Sequence, residues 1–242
     1  MNQEVASSRS GQLSLPVQLD DSATFANFFI PESKINAALL ATIEHDLTQS
    51  VYLWGSAGAG VSHLLQAACR QISLGGRRAI YLPLKEFDEA SPRDVLEDLE
   101  NMDLVCIDDV DSLSGKSEWA EQLFHLFNRA QASGCRLLFG AKVSPSNIDT
   151  SLADVKSRLS SLLVHRVEAL PDREIAQALI FRARRRGMAM PKTVAEYLLT
   201  RYSRKSADQF DALDRLDKST LVEKRALTVP FVKMVLEATA DE

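Results

Sequence analysis

The stretch Val51-Tyr-Leu-Trp54-Gly55-Ser-Ala-Gly58-Ala-Gly60-Val61-Ser62-His63 decides how the rest of the chain is read. An apolar run enters a turn carrying Gly55, Gly58 and Gly60, and Leu64 and Leu65 then open a helical pattern. Strand, glycine-rich turn and helix aim backbone N–H groups and a helix N-terminus at one point, the arrangement that cradles a chain of phosphates. Glycines serve because such a turn takes φ values that other residues resist. Gly55, Ser56, Ala57, Gly58, Ala59, Gly60, Val61, Ser62 and His63 are therefore candidate nucleotide-binding residues, with the Ser62 hydroxyl placed to meet Mg²⁺.

One position departs from the phosphate-loop form GxxxxGK[ST]. Val61 stands where a lysine would bridge the β- and γ-phosphates. A charge-assisted hydrogen bond contributes about 1.5–3 kcal/mol, and its loss falls mainly on the γ-phosphate. The expected ligand is ADP or another nucleoside diphosphate, with Mg²⁺ as a candidate companion.

Short apolar segments at Ser50–Trp54, Ala79–Pro83, Leu104–Ile107 and Arg136–Ala141 read as buried strands, and Leu163–Val167 as a fifth. Between them, Ser62–Ser73, Ser91–Asn101 and Trp119–Ser133 carry helical spacing. Strand alternating with helix predicts an α/β fold with a parallel five-stranded sheet. Upstream, Ile35, Leu39, Leu40, Ile43 and Leu47 predict a helix over Ser33–Leu47.

After Leu170 the pattern changes. Pro171 and Asp172 precede an apolar stripe of Ile175, Leu179 and Phe181 that closes at Gly187, and Thr193–Tyr202, Ser206–Asp217 and Val229–Glu237 are also helical. The organisation expected is a flexible arm over 1–21, a nucleotide-binding α/β domain over 22–170 and a small helical lid over 171–242.

The strand Leu104–Ile107 ends in Asp108-Asp109. An acid at the C-terminal end of a buried strand holds Mg²⁺ through water, and Asp108 takes that place. Asp109 follows where a glutamate would polarise the attacking water, and it is one methylene shorter. A misplacement of ~1 Å can cost ~100-fold in rate. With Val61, this predicts a poor ATPase.

Composition narrows the classes. A net charge of −5 gives no basic field for a phosphate backbone. No run of ~18 apolar residues spans a bilayer, so no membrane partner is expected. Cys69, Cys106 and Cys135 sit in apolar patterns without metal spacing and read as buried free thiols. The location expected is cytoplasmic. The run Arg182, Arg184, Arg185, Arg186 reads as the polar C-terminal end of a helix, where cations suit the dipole.

With both acidic and phosphate-loop segments in order, the chain resembles the AAA+ superfamily. More narrowly it resembles the DnaA initiator clade and, within it, the regulators that inactivate DnaA. Thr24-Phe-Ala-Asn-Phe28 with Ile30 is similar to the segment that opens the AAA+ core and borders the base, and Leu152–Leu159 to the box VII segment. The resemblance implies that Phe28, Ile30 and Ile175 also contact nucleotide. It implies that Arg158 is an arginine finger acting catalytically in trans, whereas by residue type alone an arginine beside Lys156 and Ser157 reads as a solvated residue on a surface loop. At the sensor 1 region, Lys142–Ser146, no Asn or Thr stands at the usual spot. For sensor 2, Ala207 occupies the aligned position and Arg204 lies one turn earlier as the nucleotide-side candidate.

Gln12-Leu13-Ser-Leu15-Pro16-Val17 is similar to the QLxLF-type peptide that docks on the DNA polymerase III β subunit, the sliding clamp. Gln12 offers an amide for register while the apolar residues bury surface at ~25 cal/mol per Å². The partners implied are the sliding clamp and DnaA, with DNA reached indirectly through the clamp and a homo-oligomer as a further candidate. No helix-turn-helix is expected before Glu242. The function implied is regulation of replication initiation: a nucleotide-bound protein on the DNA-loaded clamp presents Arg158 to ATP held by DnaA and stimulates its hydrolysis. The alternatives are a self-sufficient ATPase acting as loader or remodeller, and an interaction module with a vestigial pocket.

Overall fold

The computed structural model describes residues 19–31, 39–41, 43, 49–202, 206–223 and 226–237. Five strands form one sheet: β1 (Val51–Trp54), β2 (Ala79–Pro83), β3 (Leu104–Asp108), β4 (Arg136–Ala141) and β5 (Leu163–Arg166). Their order is β2-β3-β4-β1-β5, and every pairing is parallel.

Side chains alternate across a strand, and the two cores divide accordingly. Tyr52, Val105, Ile107, Leu137 and Phe139 join one cluster with Leu123 and Leu126. Val51, Leu53, Leu104, Cys106 and Leu138 join a second with Leu64, Leu65 and Ala68. Burial on both faces explains why β1, β3 and β4 read as near-continuous apolar runs. β5 differs, because it pairs only with β1 and leaves Leu163 and Val164 exposed. Its ladder stops at Arg166, although the Val167 N–H still donates to the Trp54 carbonyl.

The helices between strands are α1 (Val61–Leu74), α2 (Pro92–Leu96), α3 (Ser117–Ser133) and α4 (Ala153–Ser160). The long helix expected over Ser91–Asn101 is a correction. Ser91 caps a short α2, Glu97 turns extended, and Asp98 takes a left-handed φ of 61° before a 3₁₀ turn at Leu99–Asn101. That turn lets Val95, Leu96 and Leu99 all reach the core. Box VII is a second correction. Arg158 lies on helix α4 rather than on a loop, because Val155 and Leu159 form a buried i, i+4 pair.

The remaining helices are α5 (Asp172–Arg185), α6 (Lys192–Tyr197), α7 (Ser206–Glu223) and α8 (Val229–Glu237). α5 opens with Asp172 and Glu174 and closes where Gly187 takes φ 78°, as the sequence signals require. α6 runs on through a π turn at Leu198–Tyr202. Ile175, Leu179, Val194, Leu213, Leu216 and Phe231 form a third cluster.

Leu39, Leu40 and Ile43 are buried, while most of the helix expected over 33–47 lies outside the described residues. Among the described residues, no helix is long and apolar enough to cross a membrane. The three cysteines are buried and unbridged, and Trp119 belongs to the core.

Candidate functional site

A cleft of about 370 Å³ opens at the C-terminal ends of β1, β3 and β4, where parallel α/β sheets receive ligands. Its floor is the glycine turn. The Gly55 N–H donates to the Ala141 carbonyl at 3.1 Å, and a Cβ on Gly55 would lie 2.5 Å from the Val167 carbonyl oxygen. Gly60 caps α1 with φ 100°, and a Cβ there would meet Phe28 Cε2 at 2.8 Å. The loop is thus pinned from both sides by close backbone approach. Gly55, Ser56, Ala57, Gly58, Gly60, Val61, Ser62 and His63 all line the cleft, with Ala59 buried behind them.

Val61 is 9% exposed. Its Cγ1 lies 3.0 Å from where a Cβ on Gly140 would stand, so the side chain packs on β4. On the opposite wall, Asp108 is 3% exposed. The Tyr81 hydroxyl donates to its Oδ2 at 2.8 Å, and the Asp109 N–H to its Oδ1 at 2.9 Å. Burial, then the adjacent Asp108 carboxylate, pushes the Tyr81 hydroxyl far above its usual range, so it stays a donor. Asp109 takes a left-handed φ of 55° and forms an ion pair with Lys85. Lys142 approaches the same carboxylate at 3.9 Å.

The helical part supplies the third wall through Arg182, Phe210 and Asp211. Arg182 departs from the dipole reading of its basic run. Its Nε donates to the Asn27 carbonyl at 3.3 Å, and its guanidinium lies 3.9 Å from the Phe210 ring centroid. Nη2 donates to His63 Nδ1 at 3.1 Å. His63 Nε2 faces the Thr24 carbonyl at 2.8 Å and must donate there, which leaves Nδ1 as the acceptor. Burial, then the Arg182 charge, lowers the His63 pKa to about 4. Burial, then Arg186, lowers that of Arg182 to about 10.

Other expected residues fall elsewhere. Phe28 covers Gly60 and stacks tilted on His63 at 5.7 Å, while Ile30 packs on the second core. Ile175 is buried in the helical cluster and does not line the cleft, because its place on the apolar stripe of α5 packs it among the lid's own buried residues. Arg204 and the segment Gln12–Val17 lie outside the described residues. Arg158 stands apart from the cleft, half-buried, with its guanidinium carbon 5.7 and 5.6 Å from the rings of Phe124 and Phe127. No carboxylate pairs with it among the described residues. Sequence reasoning placed Lys142 only at the start of the sensor 1 region, and missed Asp20, Gln66, Arg182 and Phe210 as cleft residues. None sits in a spacing motif, and only tertiary contact brings them in.

A parallel sheet of this order, a glycine loop at its C-terminal edge and a helical lid across the mouth define an AAA+ nucleotide-binding module. The sequence profile of the bacterial DnaA ATPase domain matches residues 19–166, and that of the Hda lid domain matches residues 172–236. The chain belongs to the DnaA clade of AAA+ proteins, with a lid of the Hda kind.

Solved structures share the fold. Domain III of the replication initiation protein DnaA from Thermotoga maritima superposes with a TM-score of 0.73 at 19% identity, covering 92% of this chain and 98% of that one. AMPPCP-bound DnaA from Aquifex aeolicus gives 0.68 at 24% identity, covering 84% and 67%. A RuvB from Thermotoga maritima gives 0.61 at 17%, covering 89% and 73%.

Proposed function

We propose that this chain regulates replication initiation, holding a nucleoside diphosphate as a structural ligand while it stimulates hydrolysis of ATP held by DnaA. The observation that carries the reading is the pairing of a complete phosphate cradle with missing hydrolytic parts. The glycine loop and the α1 N-terminus face the cleft, whereas Val61 brings no cation to it and Asp109 is engaged by Lys85. A carboxylate held in an ion pair is a weak base for water. The relatives bound to AMPPCP support an adenine nucleotide, and ADP would be the favoured form because the loop lacks the lysine that bridges the β- and γ-phosphates. Residues 22–170 would be the nucleotide-binding domain and 171–242 its lid.

Ser62 and Asp108 both line the cleft, and each Asp108 oxygen accepts one donor and keeps a lone pair. That set suits Mg²⁺ held through water, where the ion would neutralise phosphate charge.

Arg158 would act on the neighbour. An arginine supplied in trans is worth ~10³–10⁵ in rate because it neutralises transition-state charge. Its half-exposed position on α4, without a carboxylate partner among the described residues, supports that use. Gln12–Val17 would tether the chain to the DNA-loaded sliding clamp, with DNA contacted only through it. The decisive experiment follows hydrolysis of DnaA-bound ATP with this protein, clamp and DNA present or omitted singly. Loss of stimulation when either this protein or clamp is left out is the expected result. Brisk turnover by the purified chain alone would favour the self-sufficient ATPase instead.

A further inference from the structure

The phosphate loop brings no cation to the cleft, and the walls around it add charge of the opposite sign. Among the described residues four acids line the cleft, Asp20, Asp108, Asp109 and Asp211, against two cations, Lys142 and Arg182. Both cations are already engaged. Lys142 lies 3.9 Å from Asp109 Oδ1. Arg182 donates to the Asn27 carbonyl and to His63, and it draws on the charges of Asp214 and Asp20. Asp211, on lid helix α7, sits instead among like charges: partial burial, then Asp214, Asp208 and Asp20, raise its pKa, with Arg215 opposing.

A chain of hydrogen bonds tells which end of the cleft this is. The Asp20 N–H donates to Gln66 Oε1 at 2.8 Å, and Gln66 bonds in turn to the Tyr81 hydroxyl. Tyr81 donates to Asp108 Oδ2 at 2.8 Å. Asp20 therefore stands two side chains away from the acid suited to Mg²⁺, and Asp211 faces Asp20 from the lid. In phosphate-loop proteins the metal sits at the outer phosphates. A diphosphate stops at this flank, whereas a third phosphate projects into it.

We infer that Asp211 is a specificity residue of the cleft, turning away a third phosphate by like-charge repulsion and so confining the site to a nucleoside diphosphate. This deepens the nucleotide reading and rests on it. The missing loop lysine withholds attraction from a γ-phosphate, and the lid carboxylate adds repulsion, which grows as the charges approach.

Calorimetric titration of the full chain with ADP and with ATP, each with Mg²⁺, reads the ratio of the two affinities. Asp211→Asn removes the charge at nearly constant size and should shift the ratio toward ATP by about threefold or more, the scale of a partly screened charge. The shift should shrink in high salt. Asp211→Glu keeps the charge and should keep the wild-type ratio, whereas Asp211→Lys should move it further than asparagine does. An unchanged ratio in Asp211→Asn, a shift that high salt leaves intact, or an equal shift in Asp211→Glu would overturn the assignment alone. Any diphosphate preference would then rest on the missing lysine. A wild-type preference for ATP would remove the diphosphate reading, and failure to bind either ligand the nucleotide reading, each taking this proposal with it.

Discussion

His63 Nδ1 accepts from Arg182 at 3.1 Å, joining the helix of the phosphate loop to the first helix of the lid through one neutral imidazole. The hydrogen bond from His63 Nε2 to the Thr24 carbonyl sets the tautomer. A proton added at Nδ1 would confront the guanidinium directly, which agrees with a His63 pKa lowered to about 4 by burial and then by Arg182.

The sign of the pH effect follows. Between about pH 6.5 and 4 the unfolded chain binds a proton at this histidine that the folded chain refuses. Stability from this group is complete above pH 6.5 and falls as pH drops through that window, by up to about 3 kcal/mol. His63→Gln can keep both hydrogen bonds without titrating. As pH drops from 7.5 toward 4 the melting temperature of the wild type should fall further than that of His63→Gln, and parallel curves would refute the linkage.

Gly60 combines a left-handed backbone with a close aromatic ring. Gly60→Ala meets both a φ of 100° and the Phe28 ring at 2.8 Å. It should cost about 1–3 kcal/mol in urea denaturation. Adding Phe28→Leu should recover only the steric part, since the backbone strain stays.

Tyr81→Phe removes a donor from a buried carboxylate. Asp108 would then keep the donor from the Asp109 N–H, and the loss should be about 1.5–3 kcal/mol by denaturant unfolding. An unchanged midpoint would show that solvent replaces the hydroxyl without penalty.

Arg158→Ala should separate stability from activity. The ring contacts with Phe124 and Phe127 are partly exposed and worth ~0.5–1 kcal/mol, so the melt should barely move. Stimulated hydrolysis of DnaA-bound ATP should fall by ~10³ or more. Full stimulation by a folded variant would exclude the finger role.

The sheet was legible because β1–β4 are apolar runs bounded by polar turns, and the loop because Gly55, Gly58 and Gly60 recur at a demanding spacing. Local pattern failed where tertiary contact decides. The break at Glu97–Asp98 carries no proline or glycine; the exposed Asp98 turns left-handed, and Leu99 beyond it joins Val95 and Leu96 in the core. Arg182 sits in a run of arginines that look alike in one dimension. Its lot was set by Asn27, His63 and Phe210, which are 155, 119 and 28 positions away. Lys142 follows a recognisable strand, yet only the fold shows it sharing a carboxylate with Lys85.

Gly140 carries a mechanical implication. A single methyl there would lie 2.5 Å from Asp108 Oδ1, 2.9 Å from Leu65 Cδ2 and 3.0 Å from Val61 Cγ1. The absence of that methyl lets two walls and the loop helix seat against one another like parts of a cast block. Interiors packed this closely transmit displacement rather than absorb it. Across the cleft the join is lighter, one arginine gripping an imidazole.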